Sequence, residues 1–309
     1  MRRLHRLLAV TLAAGAIASC STPTPARAPA PSPADLATLR AAIEQRIASV
    51  PGAQAGVWLQ DLATGDTLAI NAAASFHAAS TMKVPVMIEL FRRADTGALR
   101  LDSAIILRNQ FASIVDGSSF SLSAGDDSDS SLYARVGQPV TLRELNERMI
   151  TRSSNLATNA VIELLDARTA NATARALGAS TIQVRRGVED TKAYNAGLNN
   201  TTSARDLGVL MAALAQDRAA SRSACEAMRA VLLRQEFNND IPAGLPPGTP
   251  VAHKTGWITA TTHDAAIIYP PRRAPYVLVI LTRAIPKRTD AQQLMAGISR
   301  DVWDVINRQ

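Results

Sequence analysis

Of the 33 basic residues in this chain only four are lysines, Lys83, Lys192, Lys254 and Lys287, and 29 are arginines. Arginine keeps its proton at any working pH, whereas a desolvated lysine can give it up, so each lysine is a candidate proton carrier. Two of them stand in chemically suggestive company. Ser80-Thr81-Met82-Lys83 opens a helical pattern. Residues three apart share a helix face, which puts the Lys83 amine within reach of the Ser80 hydroxyl. The apolar Val84, Pro85 and Val86 that follow depress the amine's pKa and suit it to act as base toward a nucleophilic alcohol. Ser153-Ser154-Asn155 lies between two helical patterns. It offers a second hydroxyl to hand a proton to a leaving nitrogen and an amide to bind a carbonyl; it could equally be a helix cap. Lys254-Thr255-Gly256-Trp257 falls on a late strand. Its ammonium and hydroxyl suit a carboxylate, and the glycine admits close approach of a ligand to the backbone; the bland alternative is a strand ending in a turn. Ser-x-x-Lys arises readily by chance, but Lys-Thr-Gly would occur only about 0.02 times in a chain of this composition.

The elements that must position these residues follow from patterning. Ser32-Pro33-Ala34-Asp35 has the composition of a helix start, and Leu36, Leu39, Ile43, Ile47 and Val50 continue at helical spacing. Ala55–Leu62 and Thr67–Asn71 flank a Thr-Gly-Asp turn and predict a hairpin. A helix is expected from about Ser80 to Ala94. Further helical patterns cover 141–152, 155–167, 169–177, 202–216 and 221–235, and a last one about 289–307. Strand patterns return at Val251–Trp257, Thr261–Tyr269 and Tyr276–Arg283. Strands thus lie at both ends and helices in the middle. The fold class this predicts is α/β (α+β). An antiparallel sheet of about five strands is drawn from both chain ends and flanked by helices, with an all-helical lobe inserted and a cleft between them. Two polar stretches interrupt the pattern, 109–139 and 184–201. The first is a long excursion; a loop of the second's length in a compact domain is usually functional or disordered.

The chain is 309 residues long, 47% hydrophobic and 19% charged, which is enough apolar material for a sizeable core and excludes bulk disorder. The net charge of +7 is scattered rather than gathered into a tract, so nucleic acid is not expected as a partner. His77, His253 and His263 show no ligand spacing with Cys or acids, so no metal or other cofactor is expected. His263-Asp264 are adjacent on a strand and face opposite ways, which makes them a poor catalytic dyad. Arg2, Arg3 and Arg6 followed by the apolar run Leu7–Ala18 read as an export signal, too short to span a bilayer. Residues 1–19 are therefore expected to be removed, 20–34 to form a Pro-rich tether, and 35–309 to form the catalytic domain. Cys225 is expected to be a small buried hydrophobe.

With its three motifs in this order, the sequence resembles the class A β-lactamases and their penicillin-binding relatives, from about residue 35 to the end. Met149-Ile150-Thr151-Arg152-Ser153-Ser154-Asn155-Leu156-Ala157-Thr158-Asn159 adds to the likeness. The resemblance implies that Ser80 is acylated, that Lys83 shares its proton traffic and that Ser153 relays to the leaving nitrogen. It implies that Asn155 binds the substrate and that Lys254 and Thr255 hold its carboxylate. Gly256 admits the ligand, and the Ser80 and Trp257 N–H groups form the oxyanion hole. It also implies a carboxylate that activates the deacylating water, for which Glu189 is the candidate. Ile17-Ala18-Ser19-Cys20 resembles a bacterial lipoprotein cleavage site, which implies lipidation of Cys20, a membrane anchor and a periplasmic location. Three departures stand out. Ser154 replaces the usual Asp and is expected to alter local support more than chemistry. Ala193 occupies the place of an Asn four residues after the Glu. Asn200 replaces an Asp, so an ion pair that pins the loop is expected to be missing. The expected function is that of a monomeric serine β-lactamase. The alternatives are a D,D-peptidase or esterase-like hydrolase of cell-wall peptides that deacylates slowly, and a non-catalytic cell-wall-binding lipoprotein.

Overall fold

The computed structural model describes residues 31–308; the leader, Cys20 and most of the Pro-rich stretch lie outside the described residues. Ser32 and Asp35 exchange hydrogen bonds at the start of α1 (Pro33–Ala48), a reciprocal cap that satisfies amides with no helical partner. The chain continues through β1 (Gln54–Asp61), β2 (Thr67–Ile70) and the two-residue β3 (Phe76–His77) to α2 (Lys83–Asp95). Next come β4 (Ala104–Ile106), the small hairpin β5 (Phe111–Ala112) and β6 (Ser119–Phe120), and β7 (Pro139–Thr141). Helices α3 (Leu142–Thr151), α4 (Asn155–Leu165), α5 (Ala167–Ala176) and α6 (Thr191–Asn195) follow. After β8 (Thr201–Thr202) come α7 (Ala204–Ala215) and α8 (Arg222–Leu232). Strands β9 (Val251–Ile258), β10 (Thr261–Ile268) and β11 (Tyr276–Arg283) lead into α9 (Arg288–Ile306).

The main sheet runs β2-β1-β11-β10-β9 with every neighbouring pair antiparallel. It is the five-stranded sheet from both chain ends that the strand patterns predict. The central β11 is apolar without interruption from Tyr276 to Leu281 because both of its faces are covered there. Val277, Val279 and Leu281 enter one core with the helical lobe, while Tyr276, Leu278 and Ile280 enter another with α1 and α9. That split is the period of two made visible. Gly208 lets α7 lie directly on β1: a Cβ there would fall 2.1 Å from the Trp58 ring.

Helix α2 is the axis of the lobe, buried without interruption from Lys83 to Phe91. It begins three residues later than the sequence pattern suggests. Ala79–Met82 forms a 3-10 turn instead, entered through Ala79 at a φ of +44°. The run expected to break near residue 168 breaks at Asp166, also at positive φ (+66°). Cys225 is buried in α8 and forms no disulfide among the described residues.

Candidate active site

Ser80 sits in that 3-10 turn, at the edge of β9. A Cβ on Gly256 would lie 2.8 Å from the Ser80 backbone nitrogen and 2.9 Å from that of Thr81. Only glycine therefore lets the strand pass the turn, and the Trp257 amide follows directly. Non-glycine backbone at positive φ is strained by about 1 kcal/mol or more. Ala79 carries that strain one residue before Ser80.

Lys83 is fully buried. Its Nζ donates to Ser153 O (2.6 Å), Ser153 Oγ (3.1 Å) and Asn155 Oδ1 (3.1 Å). The amine is expected from the sequence to meet the Ser80 hydroxyl. The structure directs it to these three acceptors because a buried ammonium has no water to replace them. Burial pushes Lys83 down to about 7, against the pull of Asp127 and then Glu189. Lys254, equally buried, donates to the same Ser153 Oγ (3.1 Å) and to Thr255 O (2.8 Å). Burial, and then the charge of Lys83, hold Lys254 well below its ordinary value, while Asp264 and Asp240 oppose this. A hydroxyl between two amines donates to whichever is neutral, so Ser153 Oγ can move a proton between them. The Thr255 hydroxyl is buried and has no partner among the described residues.

The 184–201 segment closes over this centre. Glu189 Oε1 accepts from Asn155 Nδ2 at 3.3 Å. It shares with Ser80, Asn155, His77, Tyr194 and Trp257 a cleft of about 360 Å³. Asn159 clamps the residue before it, accepting from Val188 N (2.7 Å) and donating to Val188 O (3.0 Å). At the neck of the loop, the Asn200 amide accepts from the Arg185 and Arg186 N–H groups and donates to Arg186 O. The Arg186 guanidinium binds Leu198 O, Gly187 O and Asn199 Oδ1. The neck is thus tied by the Asn200 amide and by the Arg186 guanidinium on neutral oxygens, with no ion pair across it among the described residues. Asn200→Ala leaves three backbone groups unpartnered. It is expected to cost about 2–4 kcal/mol, read as a lowered denaturant midpoint; an unchanged midpoint would deny Asn200 this role.

Residues 38–306 match the sequence model of the β-lactamase enzyme family. The chain belongs to that family. A β-lactamase named AST-1 from Nocardia asteroides is 28% identical over 98% of this chain and 96% of its own length. A crystal structure of a β-lactamase from Sphaerobacter thermophilus superposes with a TM-score of 0.72 at 26% identity, covering 88% of this chain and 97% of that one. A point mutant of the protein PBP-A, solved as an acyl-enzyme complex with penicillin G, superposes with a TM-score of 0.75 at 27% identity, covering 87% and 96%.

In this β-lactamase-family chain the nine residues singled out from the sequence gather around one cleft. Ser80, Asn155, Glu189 and Trp257 line it, Lys83, Ser153 and Lys254 form one hydrogen-bonded group, and Thr255 and Gly256 run along its edge on β9. Cys20 lies outside the described residues. The sequence reading missed Asp127. One of its oxygens accepts from the Asn155 and Leu156 N–H groups at the start of α4, both at 2.9 Å, and from Tyr133 Oη at 3.1 Å. Ser154 supplies only the ordinary cap, its hydroxyl oxygen accepting from Ala157 N. The carboxylate absent at position 154 is therefore supplied from the polar stretch 109–139. The sequence reading weighed His253 only as a metal ligand and missed its pairing with Asp264, whose Oδ1 lies 3.0 Å from His253 Nδ1. His263 faces elsewhere, toward the carbonyls of Thr262 and His77. Phe237 meets the Trp257 ring edge-on and the Arg288 guanidinium stacks over it at 3.7 Å, so the ring is held as a wall of the cleft.

Proposed function

We propose that this chain is an exported serine β-lactamase acting through an acyl-enzyme on Ser80. The observation that carries the reading is the pair of buried lysines joined through Ser153 beside Ser80, under a carboxylate held by Asn155. The Ser80 oxygen attacks the lactam carbonyl and its proton passes to neutral Lys83. The Ser80 and Trp257 N–H groups stabilise the oxyanion. Cleavage of the C–N bond releases a nitrogen that takes the Ser153 proton, and Ser153 is reprotonated from the lysine pair. Glu189 then removes a proton from water as it attacks the ester; the tetrahedral intermediate collapses, and Ser80 leaves with the proton that Glu189 gives back, which returns Glu189 to its carboxylate form. Lys254 and Thr255 receive the substrate carboxylate. Cys20 carries the lipid that anchors the enzyme at the periplasmic membrane, and the catalytic unit acts as a monomer.

Slow deacylation, as in a penicillin-binding D,D-peptidase, is the second reading. It is favoured by Ala193, which offers no side-chain donor for the water, and by the single long hydrogen bond on an exposed Glu189. Intact-mass time courses with benzylpenicillin separate the two. The β-lactamase reading predicts a transient adduct and, in Glu189→Gln, one that persists at least about 100-fold longer with acylation little changed. An adduct equally long-lived in both proteins selects the peptidase reading.

A further inference from the structure

Glu189 adopts a φ of +61°, which a residue with a long side chain holds only where its neighbours are fixed. The preceding Val188 is fixed at both its N–H and its carbonyl by Asn159. Gly187 permits this, because a Cβ there would fall 2.4 Å from Asn159 Oδ1. The following residue, Asp190, is 3% exposed, and its carboxylate is bonded to Ser113, Ile114 and Ala193. Its Oδ1 accepts from Ser113 Oγ (2.9 Å) and from Ala193 N (3.0 Å), and its Oδ2 accepts from Ile114 N (3.0 Å). One carboxylate thus caps α6 and docks the loop on the turn between β5 and β6. Burial works to raise its pKa, but the bonds from Ala193, Ile114 and Ser113 and the charge of Arg186 prevail and lower it. The docking surface is itself braced. Ser113 N donates to Ser118 O at 2.8 Å and Gly117 N to Ser113 O at 2.9 Å, while Phe111 packs on Phe120. An outer tether joins Lys192 to Asp116 and Ser118, each at 2.7 Å; it is exposed and worth little.

We infer that Asp190, seated on Ser113 and Ile114, is a positioning residue that holds the Glu189 carboxylate over the acyl-enzyme, so that the β5–β6 hairpin serves the deacylation step. The inference rests on the role proposed above for Glu189. Two clamps flank Glu189, Asn159 on one side and the hairpin on the other. Releasing either lets its backbone leave the left-handed region and carry the carboxylate away from the water's place. Acylation uses Lys83, Ser153 and the amides beside Gly256, none of which touches Asp190.

The test measures acylation and deacylation separately, by quench-flow and intact mass with benzylpenicillin, in the unmodified protein, Ser113→Ala, Asp190→Ala, Ser113→Thr and Glu189→Gln. Ser113→Ala and Asp190→Ala should acylate within about threefold of the unmodified rate and deacylate about 10- to 100-fold more slowly, as expected for a misplaced catalytic group. Ser113→Thr keeps the hydroxyl and should restore deacylation. Ser113→Ala removes only one oxygen, so it tests the idea even where Asp190→Ala fails to fold. An adduct lifetime unchanged in Ser113→Ala while Glu189→Gln lengthens it overturns this inference alone. Acylation and deacylation falling together in step with thermal stability also overturn it. A lifetime that Glu189→Gln leaves unchanged overturns the role of Glu189, and this inference with it.

Discussion

Lys83→Arg is expected to slow acylation of Ser80 by penicillin by about 10²–10⁴-fold, the usual contribution of a positioned base. Arginine preserves charge and reach but cannot surrender its proton. The unmodified amine can, because burial brings it down to about 7 although Asp127 and Glu189 act to keep it charged. The sign of the pH dependence follows. Below about 7 the ammonium form dominates and cannot accept the Ser80 proton, so the acylation rate falls by about tenfold per pH unit on that limb. Above it the neutral amine dominates and the rate levels off. Single-turnover rates measured from pH 5 to 9 read this limb, and Lys83→Arg should abolish it together with the rate. A variant that acylates at the original rate with the same limb would exclude Lys83 as the base.

Gly256→Ala is expected to reduce kcat by about 10²–10³-fold, comparable to losing one oxyanion donor. The added Cβ would meet the Ser80 and Thr81 backbone nitrogens at 2.8 and 2.9 Å and the Ala79 Cβ at 3.3 Å. Backbone atoms cannot rotate out of the way, so β9 and the 3-10 turn must separate. That separation moves the Trp257 N–H away from the Ser80 N–H, and both must point at one oxygen. A stability loss of about 1–3 kcal/mol should accompany it, from overpacking. Steady-state kinetics with a chromogenic cephalosporin, beside a melting curve, distinguish the two effects. Unimpaired turnover would show that this approach is not needed for catalysis.

The sheet was legible because its strands carry their own period, and β11 alternates between two cores residue by residue. The order of strands and helices along the chain then left few arrangements. The motifs located the cleft because Ser80, Ser153 and Lys254 lie on elements that end there. What the sequence hides are bonds from one side chain to distant backbone. Asp127 reaches the start of α4 across 28 residues, and Asp190 reaches Ile114 across 76; neither contact has a period. Asn200 reads as a missing ion pair because its type suggests no charge partner. Its amide, able both to accept and to donate, ties the same neck through the backbone of Arg185 and Arg186. The late start of α2 was hidden for a different reason. Ser-Thr-Met-Lys suits either a helix or a 3-10 turn, and the close passage of Gly256 in a remote strand accompanies the turn.

The most direct measurement is peptide mapping by mass spectrometry of Glu189→Gln after exposure to benzylpenicillin. One penicilloyl group per chain is predicted, on the peptide that contains Ser80, and none when Ser80 is also replaced by Ala. A label on any other peptide, or no label under conditions in which the protein is folded, contradicts the account.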